Sequence, residues 1–209
     1  MYIKAIVLGP VSANCYIICD EETKIGAVID PGDYNSALLK EIENSGMKEL
    51  KYILCTHAHF DHIAGAGRLK EKFPEAEIAV GVEDSSALND DMLSLSAYFG
   101  APFYPCVGDV LLKNGDTLAI GNISLNIISA PGHTPGGVLY YEKEKGVIFT
   151  GDTIFKGSVG RTDFPGGSGA VLMNTLKKIK NYPDECVIYS GHGEKTTIKY
   201  EKRFNMYLI

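Results

Sequence analysis

The stretch Thr-His-Ala-His-Phe-Asp-His at positions 56–62 holds three of the five histidines of this 209-residue chain. His57 and His59 are two apart, so an extended backbone points both imidazoles to the same side. Asp61 and His62 follow where the chain should turn into a helix, which puts four nitrogen and oxygen donors within six residues. That density is enough to serve two neighbouring metals. The remaining histidines sit in Ala-Pro-Gly-His-Thr-Pro-Gly (130–136, His133) and Ser-Gly-His-Gly (190–193, His192), and Thr-Gly-Asp-Thr (150–153) adds the carboxylate of Asp152. Each motif follows an apolar run, the arrangement in which loops at strand ends carry function on a rigid scaffold. Gly132, Gly151, Gly191 and Gly193 would let backbone come close to the metals. A lone histidine is most often a packing or surface residue. Five of five in glycine-flanked loops read instead as metal ligands.

Outward from these motifs, the chain alternates short apolar runs with turn residues. Strands are expected over 2–8, 15–19, 25–29 and 50–55, and again over 117–129, 137–142, 146–149 and 186–190. Helices are expected over 34–45, from Asp61 to about Phe73, over 87–99, 170–180 and 196–207, with Gly46 and Pro74 as stops. Residues 151–169 are glycine-rich and read as loop. No internal repeat or linker is evident, so one domain over 1–209 is expected, with strands in two groups and helices between them.

Hydrophobic content of 45% and charged content of 22% are ordinary for a globular protein with a substantial core. A net charge of −6 argues against nucleic acid as a partner. No apolar run approaches the ~20 residues that cross a bilayer. The apolar start is broken at Gly9-Pro10 and followed by Asp20, Glu21 and Glu22, which fits two strands joined by a turn better than a signal segment. The five cysteines include no Cys-x-x-Cys pair. Cys15 and Cys19 on one strand would be about 13 Å apart, too far to bridge. Buried free thiols and a cytoplasmic location are the expectation.

Taken together, His-x-His-x-Asp-His followed by separate Gly-His, Gly-Asp and Gly-His motifs resembles the metallo-β-lactamase-fold hydrolase superfamily. The resemblance extends to Asn14-Cys15-Tyr16 and Asp30-Pro31-Gly32. Within it, Gly151-Asp152-Thr153-Ile154-Phe155 and Gly160-Arg161-Thr162-Asp163-Phe164 look most like the short glyoxalase II-like branch. The resemblance implies an α/β fold, an αββα sandwich of two mixed sheets flanked by helices. It assigns His57, His59 and His133 to one metal, and Asp61, His62 and His192 to a second. Asp152 would bridge both, and Asp61 and Asp152 would be the catalytic carboxylates. The activity implied is hydrolysis of small acyl thioesters of the S-lactoylglutathione type by a metal-bridging hydroxide.

An all-nitrogen-and-oxygen donor set suits two divalent transition metals, with Zn²⁺ favoured and Fe²⁺ or Mn²⁺ also fitting. Two such ions, less Asp61, Asp152 and a hydroxide, leave roughly one net positive charge, so an acidic protein would offer a cationic pocket to a small anionic thioester. Thr56 and Asp30 are candidates to orient imidazoles. Lys156 and Arg161, near Asp152 in sequence, are the candidates to meet a substrate carboxylate, with an internal Arg161–Asp163 pair as the other reading.

Glyoxalase II proper adds a helical domain that supplies many glutathione contacts, and only 194–209 follow the last motif here. The same loops also resemble persulfide dioxygenases, whose single iron would map onto His57, His133 and Asp152. Lactone or phosphoester hydrolysis and a non-catalytic metal-binding scaffold are the remaining alternatives. Zinc-dependent penicillin-degrading enzymes most often carry cysteine where Asp152 stands, which argues against a β-lactamase. Residues 84–108 concentrate Met92, Leu93, Tyr98, Phe99, Phe103 and Tyr104, read either as core packing or as a lid or dimer contact over the metals.

Overall fold

The structure, a computed structural model, describes residues 1–208. Six strands form the first sheet in the order of the chain: β1 (Tyr2–Leu8), β2 (Ala13–Cys19), β3 (Ile25–Ile29), β4 (Glu49–Leu54), β5 (Glu77–Gly81) and β6 (Val110–Leu112). The first three pair antiparallel, and β3 through β6 pair parallel. The second sheet uses β7 (Thr117–Ile120), β8 (Ile123–Ser129), β9 (Val138–Glu142), β10 (Val147–Gly151), β13 (Val187–Ser190) and β14 (Thr196–Thr197), ordered β14-β13-β10-β9-β8-β7. Only β10 and β13 are parallel neighbours there. Both sheets are therefore mixed, as expected.

The alternation of side chains along the strands sorts the core into three layers. Ile18, Ala27, Ile29 and Leu54 of the first sheet meet Leu125, Ile127, Tyr140 and Phe149 of the second. The intervening residues Ile17, Val28 and Ile53 turn to the outer face of the first sheet. There they pack against Leu38 and Ile42 of α1 (Ser36–Asn44), Ile63 of α2 (Phe60–Ile63) and Leu69 of α3 (Ala66–Lys72). Leu139, Ile148 and Ile188 turn to the outer face of the second sheet. They meet Leu172, Leu176 and Ile179 of α5 (Gly169–Ile179) and Ile198 of α6 (Ile198–Phe204). This is the αββα sandwich. Strands buried on both faces read as continuous apolar runs, which is why β2 has no exposed residue. Removing the Phe149 ring from the middle layer would cost about 3–5 kcal/mol.

Several boundaries differ from those read off the sequence. Residues 117–129 form a hairpin of β7 and β8 rather than one strand, because Gly121 takes φ +59° and reverses the chain. The helix expected from Asp61 to Phe73 is two helices, α2 and α3. The backbone breaks at Ala64–Gly65, where a side chain at Gly65 would strike the carbonyl of Asp33, 2.4 Å away. The helix expected over 87–99 is a 3-10 turn (Val82–Asn89) followed by α4 (Ser96–Phe99), and the stretch 196–207 begins as strand β14. Within 151–169, β11 (Ile154–Phe155) and β12 (Ser158–Val159) make a small hairpin. β5 and β6, absent from the sequence reading, complete the first sheet. None of the five cysteines is bridged, and four are buried. Among the described residues no helix is long and apolar enough to cross a membrane.

Candidate metal centre

Strand direction gathers the ligands. β8, β10 and β13 run the same way, so the loops leaving their C-terminal ends, with His133, Asp152 and His192, emerge at one edge. β3 and β4 are parallel in the other sheet, and their C-terminal ends deliver Asp30 and His57. The two sheets are tied at that edge by β2. Asn14 donates its side-chain amide to the carbonyls of Ser190 and Gly193 (both 2.9 Å), and its backbone N–H to Gly191 O at 2.7 Å. The hydroxyl of Tyr16 donates to Ser190 O at 2.5 Å. The close approach expected of Gly191 is real, since a Cβ there would lie 2.2 Å from Asp152 Oδ1. Gly193 is needed instead for its φ of +74°, with nothing within 4 Å of where a Cβ would be.

All seven predicted ligands converge. His57, His59 and His133 offer ring nitrogens within 4.8 Å of one another, as do the ligand atoms of Asp61, His62 and His192. Asp152 lies between the groups. Its Oδ1 is 3.3 Å from His62 Nε2, and its Oδ2 is 3.7 Å from His133 Nε2 and 3.6 Å from His192 Nε2. Asp61 Oδ2 is 3.2 Å from His192 Nε2 and 3.4 Å from His62 Nε2. Three buried polar atoms of the protein have no hydrogen-bond partner among the described residues: His57 Nε2, His62 Nε2 and Asp152 Oδ1. Buried polar groups are otherwise almost always paired. Orphans that face one another across a cluster of imidazoles and carboxylates are what a cation would satisfy, so the residues fit a metal pair.

The opposite ring nitrogens set the tautomers that such ions need. His133 Nδ1 donates to the carbonyl of Arg161 at 2.7 Å, leaving Nε2 facing Asp152. His62 Nδ1 donates to Asp30 Oδ2 at 3.1 Å. Thr56 gives its single hydroxyl proton to Asp30 Oδ2 (2.7 Å) and so accepts from His57 Nδ1 (3.1 Å), which leaves a lone pair on the orphaned Nε2. Asp30 also accepts from the Thr56 backbone N–H at 2.7 Å. One carboxylate thus orients a ligand in each half of the site. It is held at a φ of +52°, a strained position for a residue with a side chain.

The two halves differ in charge. Burial, with the neighbouring imidazoles, holds His57 well below the ordinary imidazole range and His59 down at about 3. Burial opposes charge on His62 too, but Asp61, Asp152 and Asp30 outweigh it and push His62 well above that range. His192 is raised by Asp61 and Asp152 against its burial. In return, despite burial, His62 holds both Asp61 and Asp152 below the usual carboxylate range, with His192 assisting.

Asp84 is a part of the site that sequence reasoning missed. It is 4% exposed. Its oxygens accept from the Ala58 N–H (3.2 Å), the Thr134 hydroxyl (2.7 Å) and the Gly136 N–H (2.6 Å). It thereby joins the loop of His57 and His59 to the loop of His133. Burial raises its pKa, partly offset by those three donors. The only signal in the sequence is an acid shortly after an apolar run, which reads equally well as an acid in the first turn of a helix.

The two predicted substrate contacts divide. Arg161 lines the cleft over the ligands, a cavity of about 230 Å³ that it shares with Asp61, His133, Asp152 and His192. Its guanidinium is 3.9 Å from the Phe164 ring and makes a bidentate pair with Asp163, both contacts at 2.6 Å. Lys156 does not line that cleft, and its ammonium instead meets the Glu194 carboxylate at 2.5 Å. The 84–108 segment divides as well. Leu88 and Leu95 are core, whereas Met92, Leu93, Tyr98, Phe99 and Tyr104 are exposed. Of the expected lid residues Phe99 lines the metal cleft, with its ring 5.3 Å from Phe60 and 5.9 Å from Phe164. Tyr98, 66% exposed, does not.

The chain belongs to the metallo-beta-lactamase superfamily, whose family model matches residues 8–192. It is 37% identical to the hydroxyacylglutathione hydrolase GloC of Haemophilus influenzae, over all of this chain and 98% of that protein. Among solved structures it resembles BLEG-1, described as a B3 metallo-beta-lactamase. The TM-score is 0.92, with 34% identity and 99% of both chains covered. It also resembles TTHA1623 in a di-iron-bound form, with TM-score 0.88, 32% identity, and 98% and 100% of the two chains covered. It is a member of a superfamily of metal-dependent hydrolases.

Proposed function

We propose that the protein hydrolyses small acyl thioesters at a two-metal centre held by His57, His59, Asp61, His62, His133, Asp152 and His192. The observation that carries the reading is Asp152, whose two oxygens face both ligand groups at once. The similarity to a hydroxyacylglutathione hydrolase over the full chain supports the thioester class. Zinc is the favoured metal, and the di-iron form of TTHA1623 supports iron as the other one to assay.

When bound, a divalent pair supplies Lewis acidity and lowers the pKa of water enough to provide a nucleophile at neutral pH. The chain's own residues do the rest. Asp61 lines the cleft, where its carboxylate can accept a hydrogen bond from water. Val11, Phe60, Leu95, Phe99 and Phe164 give the cleft apolar walls that exclude bulk water from the acyl group. A thiolate leaves without a strong general acid, and the cleft lining contains no lysine that could serve as one.

A side-by-side assay of S-lactoylglutathione loss and of oxygen uptake with glutathione persulfide tests this, on protein reconstituted with zinc or iron. Thioester turnover is expected to dominate. Oxygen uptake dominating would replace the reading with a dioxygenase on His57, His133 and Asp152. β-Lactams belong in the same panel because BLEG-1, so similar in fold, is described as a β-lactamase. Their turnover above that of thioesters would also overturn the reading.

A further inference from the structure

Beside the metal cleft lies a second cavity of about 310 Å³, lined by Gly9, Pro10, Asp33, Tyr34, Phe60, Arg68 and Tyr104 among others. The two share walls: Phe60 lines both, Pro10 precedes Val11 of the metal cleft, and Ala101 follows closely on Phe99. Arg68, on α3, is half-buried there with its guanidinium 4.3 Å from the Tyr34 ring and 5.3 Å from the Tyr104 ring. Both distances fall within the range of cation–π attraction, so the planar fork is pre-oriented.

Among the described residues Arg68 has no hydrogen-bond acceptor and no carboxylate within ion-pair distance. Its fellow basic residues near the site are already neutralised, Arg161 by Asp163 and Lys156 by Glu194. A carboxylate does line the same cavity: Asp33, whose oxygens accept from the Tyr34 N–H (2.7 Å) and the Asn35 amide (2.8 Å). Ionised carboxylates retain further lone pairs for another donor. An uncompensated guanidinium and a carboxylate in one small cavity disfavour a polyanion such as a phosphate and suit a zwitterion.

We propose that this cavity binds the α-amino-acid end of the thiol carrier, with its carboxylate on Arg68 and its ammonium on Asp33, while the thioester reaches over Phe60 to the metals. The inference rests on the thioester reading of the metal cleft and assigns its leaving-group side. It also provides carrier contacts within this chain, where Lys156 is turned to Glu194.

The test compares metal-loaded wild-type protein with Arg68→Ala, Arg68→Lys and Asp33→Asn on S-lactoylglutathione and on the neutral S-lactoyl-N-acetylcysteamine. Arg68→Ala is expected to raise KM for the glutathione thioester by about tenfold or more, as loss of a charge-assisted hydrogen bond should, with kcat retained. The neutral thioester should be unaffected by every variant. Arg68→Lys should recover part of the loss, since it keeps the charge but not the fork. Equal effects on both thioesters, or none, overturn the proposal.

S-methylglutathione, titrated calorimetrically, reads the cavity without any hydrolysis. If no thioester is turned over yet its binding depends on Arg68, the thioester reading falls and the amino-acid site stands. If thioesters are turned over and Arg68→Ala changes neither KM nor this affinity, the site falls alone.

Discussion

The two halves of the candidate metal centre are built from similar residues in opposite electrostatic settings. His57, His59 and His133 form an all-imidazole group, and burial strips His57 and His59 of their protons. Asp61, His62 and His192 sit where carboxylates favour the protonated form, strongly for His62 and in the same direction for His192. A cation entering the second half therefore competes with protons that the carboxylates favour, whereas His57 and His59 present lone pairs with nothing to displace. Identity of side chain does not decide the difference. The number of carboxylates within about 4 Å does, because charge interactions are strong where water is excluded.

Removing the shared element should have the largest effect. Asp152→Ala is expected to lower turnover by at least ~10²–10³-fold, as loss of a preorganised electrostatic group does. Elemental analysis should find both metals depleted, and full occupancy would break the two-half description. Asp30→Asn comes next. Asn tolerates the left-handed backbone, but an amide –NH2 in place of Oδ2 can accept neither from the Thr56 hydroxyl nor from His62 Nδ1, so metal affinity should fall by about 10–100-fold, as expected when an orienting partner is lost. Because Asp30 serves His62 directly and His57 through Thr56, both sites should weaken.

Proton competition separates the halves. His62 is pushed well above the ordinary imidazole range and His192 is raised in the same direction, so a cation at the second half must compete with at least the His62 proton. Loading there should weaken as pH falls, by about tenfold per unit for each proton displaced. His57 and His59 are depressed and have no proton to lose when a metal enters, so these two ligands should add nothing to the pH dependence of the first half. Metal titrations at several pH values, read by competition with a chelator, measure this. Parallel pH dependence at both sites would remove the distinction.

Asp84→Ala should act on the first half alone, since its partners flank His57, His59 and His133. It leaves the Ala58 and Gly136 N–H groups buried without acceptors, a cost of about 1–3 kcal/mol each before relaxation, visible as a lower Tm. First-site affinity should fall with it, while the second site holds. The smallest effect is expected from Phe99→Ala. That side chain is 53% exposed, so Tm should hardly move, while KM rises a few-fold as the wall against Phe60 and Phe164 opens. A lower Tm with an unchanged KM would make Phe99 a packing residue instead.

The candidate ligands were legible because metal chemistry is written locally. His57 and His59 two apart, Asp61 and His62 at a helix start, and glycines beside His133, Asp152 and His192 each announce themselves within a few residues. Apolar runs broken by turn residues likewise indicated two groups of strands with helices between them, while the sandwich itself came from the family resemblance. The hairpin at Gly121 was not legible, since a single glycine in an apolar run does not say whether the chain bends or continues. Nor was the partition of the ligands readable from spacing, which is why the pairing of triads came from family resemblance; the structure brings both triads together, and also His57, His62 and Asp152.

What tertiary structure alone decided are the relations between charges far apart in the chain. Lys156 is turned to Glu194, 38 positions away, and leaves the cleft to Arg161. Asp84 reaches across 26 positions to Ala58 and 52 to Gly136. Arg68 meets Tyr34 and Tyr104 only because the loop before α1, α3 and the segment before β6 pack around one cavity. A carboxylate or a guanidinium looks the same in sequence whether it is solvated, paired or left waiting for a ligand. Its energy depends on burial and on partners that the fold supplies, whereas the donor chemistry of the metal ligands belongs to the side chains themselves.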